Sequence, residues 1–210
     1  MKTILFIGDS ITDCGRDRND PESLGSGYAM LAARALEEKY PGQFRFVNRG
    51  IAGDWLDKVY QRRQEDILDV KPDYVSMLVG VNDVAVGLKR GTGFDVHGYM
   101  EQYDTLLRQM REELPGVKLM LIESFINEGE VPRQYGMEAF EEGMAMCSEA
   151  VQMLCAKHDL PFLSLQFDLY ELEEQHPAGH WTRDGVHPTL NFHEYMAQKW
   201  VRAFETYLNH

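Results

Sequence analysis

Cysteine is scarce in this chain. Cys14, Cys147 and Cys155 are the only three in 210 residues, an odd count that suits no disulfide framework. Cys147 and Cys155 fall eight positions apart on an expected helix, about 12 Å along its axis, which is beyond the reach of a disulfide. The opening MKTILFIGDS has an apolar run too short for a signal peptide. Free thiols without a leader lead us to expect a reducing, cytoplasmic setting. Cations are outnumbered as well. Lys and Arg total 21 against 34 Asp and Glu, a net charge of −13. That balance disfavours nucleic acid and anionic membranes as partners and suits a neutral or cationic substrate. No apolar stretch is long enough to span a bilayer, and repeats, low-complexity tracts and linkers are missing. The G-x-S-x-G elbow is missing too, since Gly25-Ser26-Gly27 does not match it. What is present is ordinary globular composition, 44% hydrophobic and 26% charged, expected to fold as a single domain over 1–210.

The clearest signal lies at the start. Thr3 to Ile7 reads as a strand buried on both faces, and Gly8-Asp9-Ser10 turns the chain just past its carboxyl end. Further strands are expected at 44–47, 73–79, 117–122 and 160–165, and helices at 25–40, 56–68, 96–114, 137–158 and 192–208. The segments 80–93 and 123–133 read as loops. Alternation of strands and helices predicts a three-layer α/β/α, doubly wound sheet of about five parallel strands. The flavodoxin-like order 2-1-3-4-5 is our choice, because it sets the first strand beside a topological switch point. In any such sheet the loops after the first three strands open on one edge. They carry Ser10, Gly53 and Asn82.

A serine that cleaves esters needs a base, a carboxylate to orient that base, and donors for the developing oxyanion. Asp184-Gly185-Val186-His187-Pro188 places a carboxylate and an imidazole three residues apart in a turn where both can face one side. Asp184 would fix the tautomer of His187, and His187 would reach Ser10. The backbone N–H groups of Ser10 and Gly53 and the side-chain amide of Asn82 would complete an oxyanion hole. Each residue has a plainer reading alone. Ser10 can cap a helix, Gly53 can serve a turn, Asn82 can form an Asx turn, and Asp184 and His187 can be surface loop residues.

Gly8-Asp9-Ser10-Ile11-Thr12, Gly50-Ile51-Ala52-Gly53, Gly80-Val81-Asn82-Asp83 and Asp184-Gly185-Val186-His187-Pro188 together resemble the four blocks of the SGNH hydrolases, the GDSL-type esterases and lipases. They occur in the family's order and span almost the whole chain. The resemblance implies Ser10 as nucleophile, Asp184 and His187 as its triad partners, Gly53 and Asn82 as oxyanion donors, and no cofactor. Ile11 replaces the leucine of the GDSL label. The segments Phe6 to Arg16 and Trp181 to Pro188 look most like intracellular bacterial acetylxylan esterases, which implies an acylated carbohydrate as substrate. Trp55 and Trp181 flank the catalytic blocks and are expected to wall a small pocket, stacking on a sugar.

Plainer roles are expected elsewhere. Met137, Met144, Met146 and Met153 read as helix core filler, and His97, His158, His176 and His210 as surface histidines. His180 and His193 flank the site loop. Cys14 has no base near it in sequence and reads as a small packed residue. A lipid esterase of the same family is the closest alternative function. A phosphoesterase with a metal held by Asp9, Asp13, Asp184 and His187 and a non-catalytic binding module come behind it. No metal is expected, and a homo-oligomer is left open.

Overall fold

The computed structural model describes residues 1–177 and 179–208. Strand β1 (Lys2–Gly8) sits near the centre of a sheet with β2 (Phe44–Asn48), β3 (Tyr74–Leu78), β4 (Lys118–Ile122) and β5 (Phe162–Leu163). All neighbouring pairs are parallel, and the order is β2-β1-β3-β4-β5. The expected order and class are both found.

Side chains alternate along each strand, so the sheet makes two cores. Leu5, Ile7, Val75, Met77, Leu119 and Leu121 face one side. There they meet α3 (Leu56–Gln61), α4 (Val81–Lys89), α5 (Val96–Glu113) and α7 (Met137–His158). Ile4, Phe6, Tyr74, Leu78, Met120 and Ile122 face the other, under α2 (Tyr28–Lys39), α8 (Gln166–Glu173) and α9 (Leu190–Leu208). Trp200 of α9 anchors this second core. Its ring stacks on Phe204 at 4.9 Å, and its Nε1–H is donated to Ser76 Oγ in the central strand at 2.7 Å.

Several elements depart from expectation. Ser10–Asp13 winds into a short α1, with Asp9 capping it through Ile11 N–H at 2.9 Å. The expected helix over 56–68 breaks at Arg62, and a π turn covers Gln64–Leu68. The segment 80–93 is not all loop. Val81 and Val84 of α4 are buried with Leu88 packed behind them, a helical spacing masked by Asn82, Asp83 and Gly87. The segment 123–133 contains the start of α6 (Glu130–Tyr135), which tolerates Pro132 because a first helical turn has no acceptor for that N–H. His158 is buried rather than on the surface and contacts Asp104 at 2.7 Å. Met153 is exposed, unlike Met144. His97 and His176 are exposed as expected, and His210 lies outside the described residues.

Two glycines position the loop after β2 for different reasons. A Cβ at Gly50 would lie 2.3 Å from Asp13 N and 2.7 Å from Thr12 C, so α1 and this loop touch through backbone alone. Gly53 has open space around it but holds φ at +82°. Gly53→Ala should therefore cost about 1 kcal/mol for left-handed backbone. Gly50→Ala must push two backbone segments apart and should cost more, on the order of 3 kcal/mol or loss of folding. Urea unfolding of the two variants checks this, and equal costs would contradict the close approach.

Candidate active site

The turn after β1 and the loop before α9 bring a hydroxyl, an imidazole and a carboxylate into line. Ser10 Oγ lies 2.9 Å from His187 Nε2, and His187 Nδ1 lies 2.7 Å from Asp184 Oδ2. The carboxylate accepts a hydrogen bond from Nδ1–H, which fixes the proton on that nitrogen and leaves Nε2 as an acceptor for the serine O–H. Asp184 is itself fixed, because its Oδ1 accepts the backbone N–H groups of Val186 at 3.0 Å and His187 at 2.9 Å. Burial pushes its pKa up, but those amides and the imidazole outweigh burial and hold it below the ordinary value of 3.8. The loop is closed by Arg183 N–H to His187 O at 2.8 Å and Thr189 N–H to Trp181 O at 2.9 Å. Ser10, Asp184 and His187 are partly exposed, so a substrate reaches them from solvent.

The second wall comes from the loops after β2 and β3. Ile51 N–H is donated to Gly8 O at 3.0 Å and Ala52 N–H to Asp13 Oδ2 at 2.9 Å, which sets Gly53 beside α1. One Nδ2 proton of Asn82 is donated to Asp54 O at 2.9 Å. That bond ties the two expected oxyanion donors to each other and leaves the second amide proton for another acceptor. Among the described residues the N–H groups of Ser10 and Gly53 have no acceptor, as donors reserved for a ligand would.

The two tryptophans separate. Trp55 is half-buried, with Lys58 Nζ at 4.4 Å from the centre of its ring. Trp181 does not wall a pocket as the sequence suggested. It is buried, donates its indole N–H to Leu172 O at 3.0 Å and packs on Phe192. The apolar ring gains more from the core than from an open loop. Of Asp9, Asp13, Asp184 and His187, the last two pair with each other, while Asp13 is bound to Arg18 and Ala52 N–H and Asp9 accepts Ile11 N–H. Among the described residues no group of three or more His, Cys, Asp or Glu side chains is arranged to hold a metal ion.

Sequence reading missed the residues that hold the loops together. Asn48 donates to Thr12 O at 2.7 Å and Leu24 O at 2.9 Å and accepts from Gly50 N–H at 2.8 Å. Arg62 links Gly8 O, Arg49 O, Asp54 and Asp66. The segment 123–133, which reads from the sequence as loop, supports the histidine loop. Asn127 N–H is donated to Gly185 O at 2.7 Å and Val131 N–H to Asp184 O at 3.0 Å. Cys14 does have an imidazole nearby, with His193 Nε2 at 3.3 Å from its sulfur. His193 Nδ1 accepts Tyr28 N–H at 3.1 Å, so Nε2 carries the proton and donates to the sulfur instead of deprotonating it. Burial, then Arg183 and His187, push His193 down to about 4, which keeps it neutral.

The model of the GDSL-like lipase/acylhydrolase family matches residues 6–195. An acetylxylan esterase from Geobacillus stearothermophilus is 33% identical over 209 residues, covering 95% of this chain and 92% of that one. The crystal structure of a candidate GDSL-like lipase from Parabacteroides merdae ATCC 43184 superposes with a TM-score of 0.88 at 33% identity, covering 97% of this chain and 95% of that one. Axe2, an acetylxylan esterase from Geobacillus stearothermophilus, superposes with a TM-score of 0.84 at 27% identity, covering 96% and 93%. Solved catalytic mutants of Axe2 replace a serine, an aspartate and a histidine by alanine, and the histidine lies three positions after the aspartate.

Asp9 supplies a pH test of this corner. It is fully buried, its Oδ2 has no partner among the described residues, and burial pushes it from 3.8 to about 7. Between those values the folded protein keeps a proton that the unfolded chain has released. Its contribution to stability therefore falls as pH rises from about 4 to about 7 and is level above that. Asp9→Asn keeps the cap on Ile11 and removes the titration. The variant's stability relative to the parent should climb across that window, by at most about 1.4 kcal/mol per pH unit. Urea unfolding at several pH values measures it, and a difference independent of pH would contradict the buried, protonated carboxyl.

Proposed function

The chain belongs to the GDSL-like lipase/acylhydrolase family and is a carboxylic ester hydrolase, and we propose that it removes acetyl groups from xylo-oligosaccharides through Ser10. The observation that carries this reading is the unbroken line from Ser10 Oγ through His187 to Asp184, at 2.9 Å and 2.7 Å. The aspartate and histidine also share the three-residue spacing of the Axe2 catalytic mutants.

Ser10 Oγ attacks the acetyl carbonyl carbon as its proton passes to His187 Nε2. Asp184 stabilises the imidazolium that forms. The carbonyl oxygen becomes an oxyanion and takes hydrogen bonds from the N–H groups of Ser10 and Gly53 and from the free amide proton of Asn82. The intermediate collapses, the sugar oxygen leaves with the proton held on Nε2, and Ser10 carries the acetyl group. Water, deprotonated by His187, then attacks the acetyl carbonyl. Acetate leaves, and the proton returns to Ser10.

Support for a short acyl group on a neutral sugar comes from charge and from relatives. A surface at −13 repels anionic lipid interfaces. The related enzymes are acetylxylan and acetyl-xylooligosaccharide esterases. We place the enzyme in the cytoplasm, on its free cysteines. No described helix is long and apolar enough to cross a membrane.

Ser10→Ala should fold normally and lose ester hydrolysis by about 10⁴-fold or more. A serine-directed organophosphorus reagent should add once, on Ser10, by mass spectrometry. Near-parental turnover by the folded variant would overturn the mechanism. Asn82→Ala should lower kcat by roughly 10²–10³ with little change in KM, because its amide meets charge only as the oxyanion develops. A rise in KM alone would make Asn82 a ground-state binder. Across aryl esters, kcat/KM should be higher for acetyl than octanoyl, and acetylated xylo-oligosaccharides should release acetate. The reverse order would favour a lipid esterase.

A further inference from the structure

The hydrolytic steps above leave a large cleft unused. It has a volume of about 620 Å³ and lies between α3, α4 and α5, within the 300–1,000 Å³ range of small-molecule sites. Its near end adjoins the oxyanion donors. Trp55, two residues after Gly53, and Asp83, next to Asn82, both line it. Leu56 N–H is donated to both carboxyl oxygens of Asp83, at 3.0 and 3.2 Å, which joins the two walls at that end. An acetyl group needs only a small part of this space. The remainder is walled by α5, from Gly98 to Thr105.

The lining indicates what the cleft could hold. Trp55 and Tyr60 supply aromatic faces, and cations already hold each ring in place, Lys58 over Trp55 and Arg63 over Tyr60 at 4.4 and 4.1 Å. Asp57 is held between Gln61 Nε2 at 2.7 Å and Gln102 Nε2 at 2.9 Å, a pre-set pair of acceptor and donor on the wall. Glu101 adds a further acceptor, and Arg90 is the one cation among the lining residues. Rigid aromatic faces beside paired acceptors and donors fit the apolar face and hydroxyl rim of a sugar ring. Carboxylates outnumbering the single arginine oppose anionic ligands, and the polar walls oppose an acyl chain.

We propose that this cleft is a subsite for the unacetylated sugar units of an oligosaccharide whose acetyl ester lies at Ser10. The subsite rests on the carbohydrate reading above and extends it, because it makes the enzyme sense chain length as well as the ester. Its wall on α5 and the carboxyl end of α4 sets how much is gained from each added sugar.

The test compares kcat/KM on an aryl acetate, on acetylated xylose and on acetylated xylotriose, for the parent enzyme and for Gln102→Ala on one wall and Arg90→Ala on the other. The parent should prefer the trisaccharide over the monosaccharide by roughly tenfold. In Gln102→Ala that preference should shrink to about twofold or less, through KM more than kcat. Arg90→Ala gives a second reading should Gln102→Ala loosen α3. An enzyme that cleaves acetylated xylose with no gain from added sugars, or variants that keep the full gain, would overturn the subsite alone. An enzyme that cleaves the aryl acetate and no acetylated sugar would overturn the carbohydrate reading and the subsite with it.

Discussion

A buried carboxylate must be satisfied by the chain around it, and at Asp13 that requirement shapes the whole site. Asp13 is 5% exposed. Its oxygens accept Ala52 N–H at 2.9 Å, Arg16 N–H at 3.2 Å and Arg18 Nη2 at 2.7 Å. To make those bonds the loop after β2 must lie directly on α1, so close that position 50 admits no side chain. Once it lies there, Gly53 follows Ala52 along α1, and Asp54 O is in reach of Asn82. The side chains of Asn48 and Arg62 reinforce the same approach from beneath. The proposed oxyanion hole is thus a product of packing between loops, assembled before any substrate arrives.

The second half of the site obeys a different logic. Asp184 and His187 lie three residues apart, and one tight turn lets the carboxylate bind both the amide and the ring of the same histidine. Local geometry orients the base, and the segment 127–131 fixes the turn to the body. Burial keeps Asp9, near His187, from ionising easily and pushes it up to about 7, and it pushes Asp83, which accepts Leu56 N–H, up to about 8. A carboxyl that gives up its proton less readily adds less negative charge beside the expected oxyanion donors. The cleft along α5 continues the same polar, acid-rich wall.

Much of this was legible in the sequence, and the reasons differ by element. Strand β1 and the sheet class were readable because a buried parallel strand is uniformly apolar and ends in glycine. That Ser10, Asp184 and His187 would meet was readable because each lies in a short block whose parts are adjacent. Helix α4 was hidden by glycine and Asx residues that usually mark turns, and α8 by its exposed Phe167 and Tyr170, which blur any apolar stripe. Trp181 misled for a related reason. Its place in the chain is beside the site, but its indole turns into the core. The contacts of Asp13, Asn48, Arg62 and His193 join segments far apart in the chain, and local spacing carries no trace of them.

The account's central claim is that Asp184 makes His187 a base by accepting a hydrogen bond from Nδ1–H, which holds the proton on that nitrogen and leaves Nε2 free for Ser10. Replacing Asp184 by asparagine keeps shape and most of the turn but puts an amide donor opposite Nδ1, forcing the proton onto Nε2. The kcat of Asp184→Asn for an aryl acetate is the most direct measurement. A fall of about 10⁴-fold in a folded protein is the predicted result. A kcat within tenfold of the parent would contradict it.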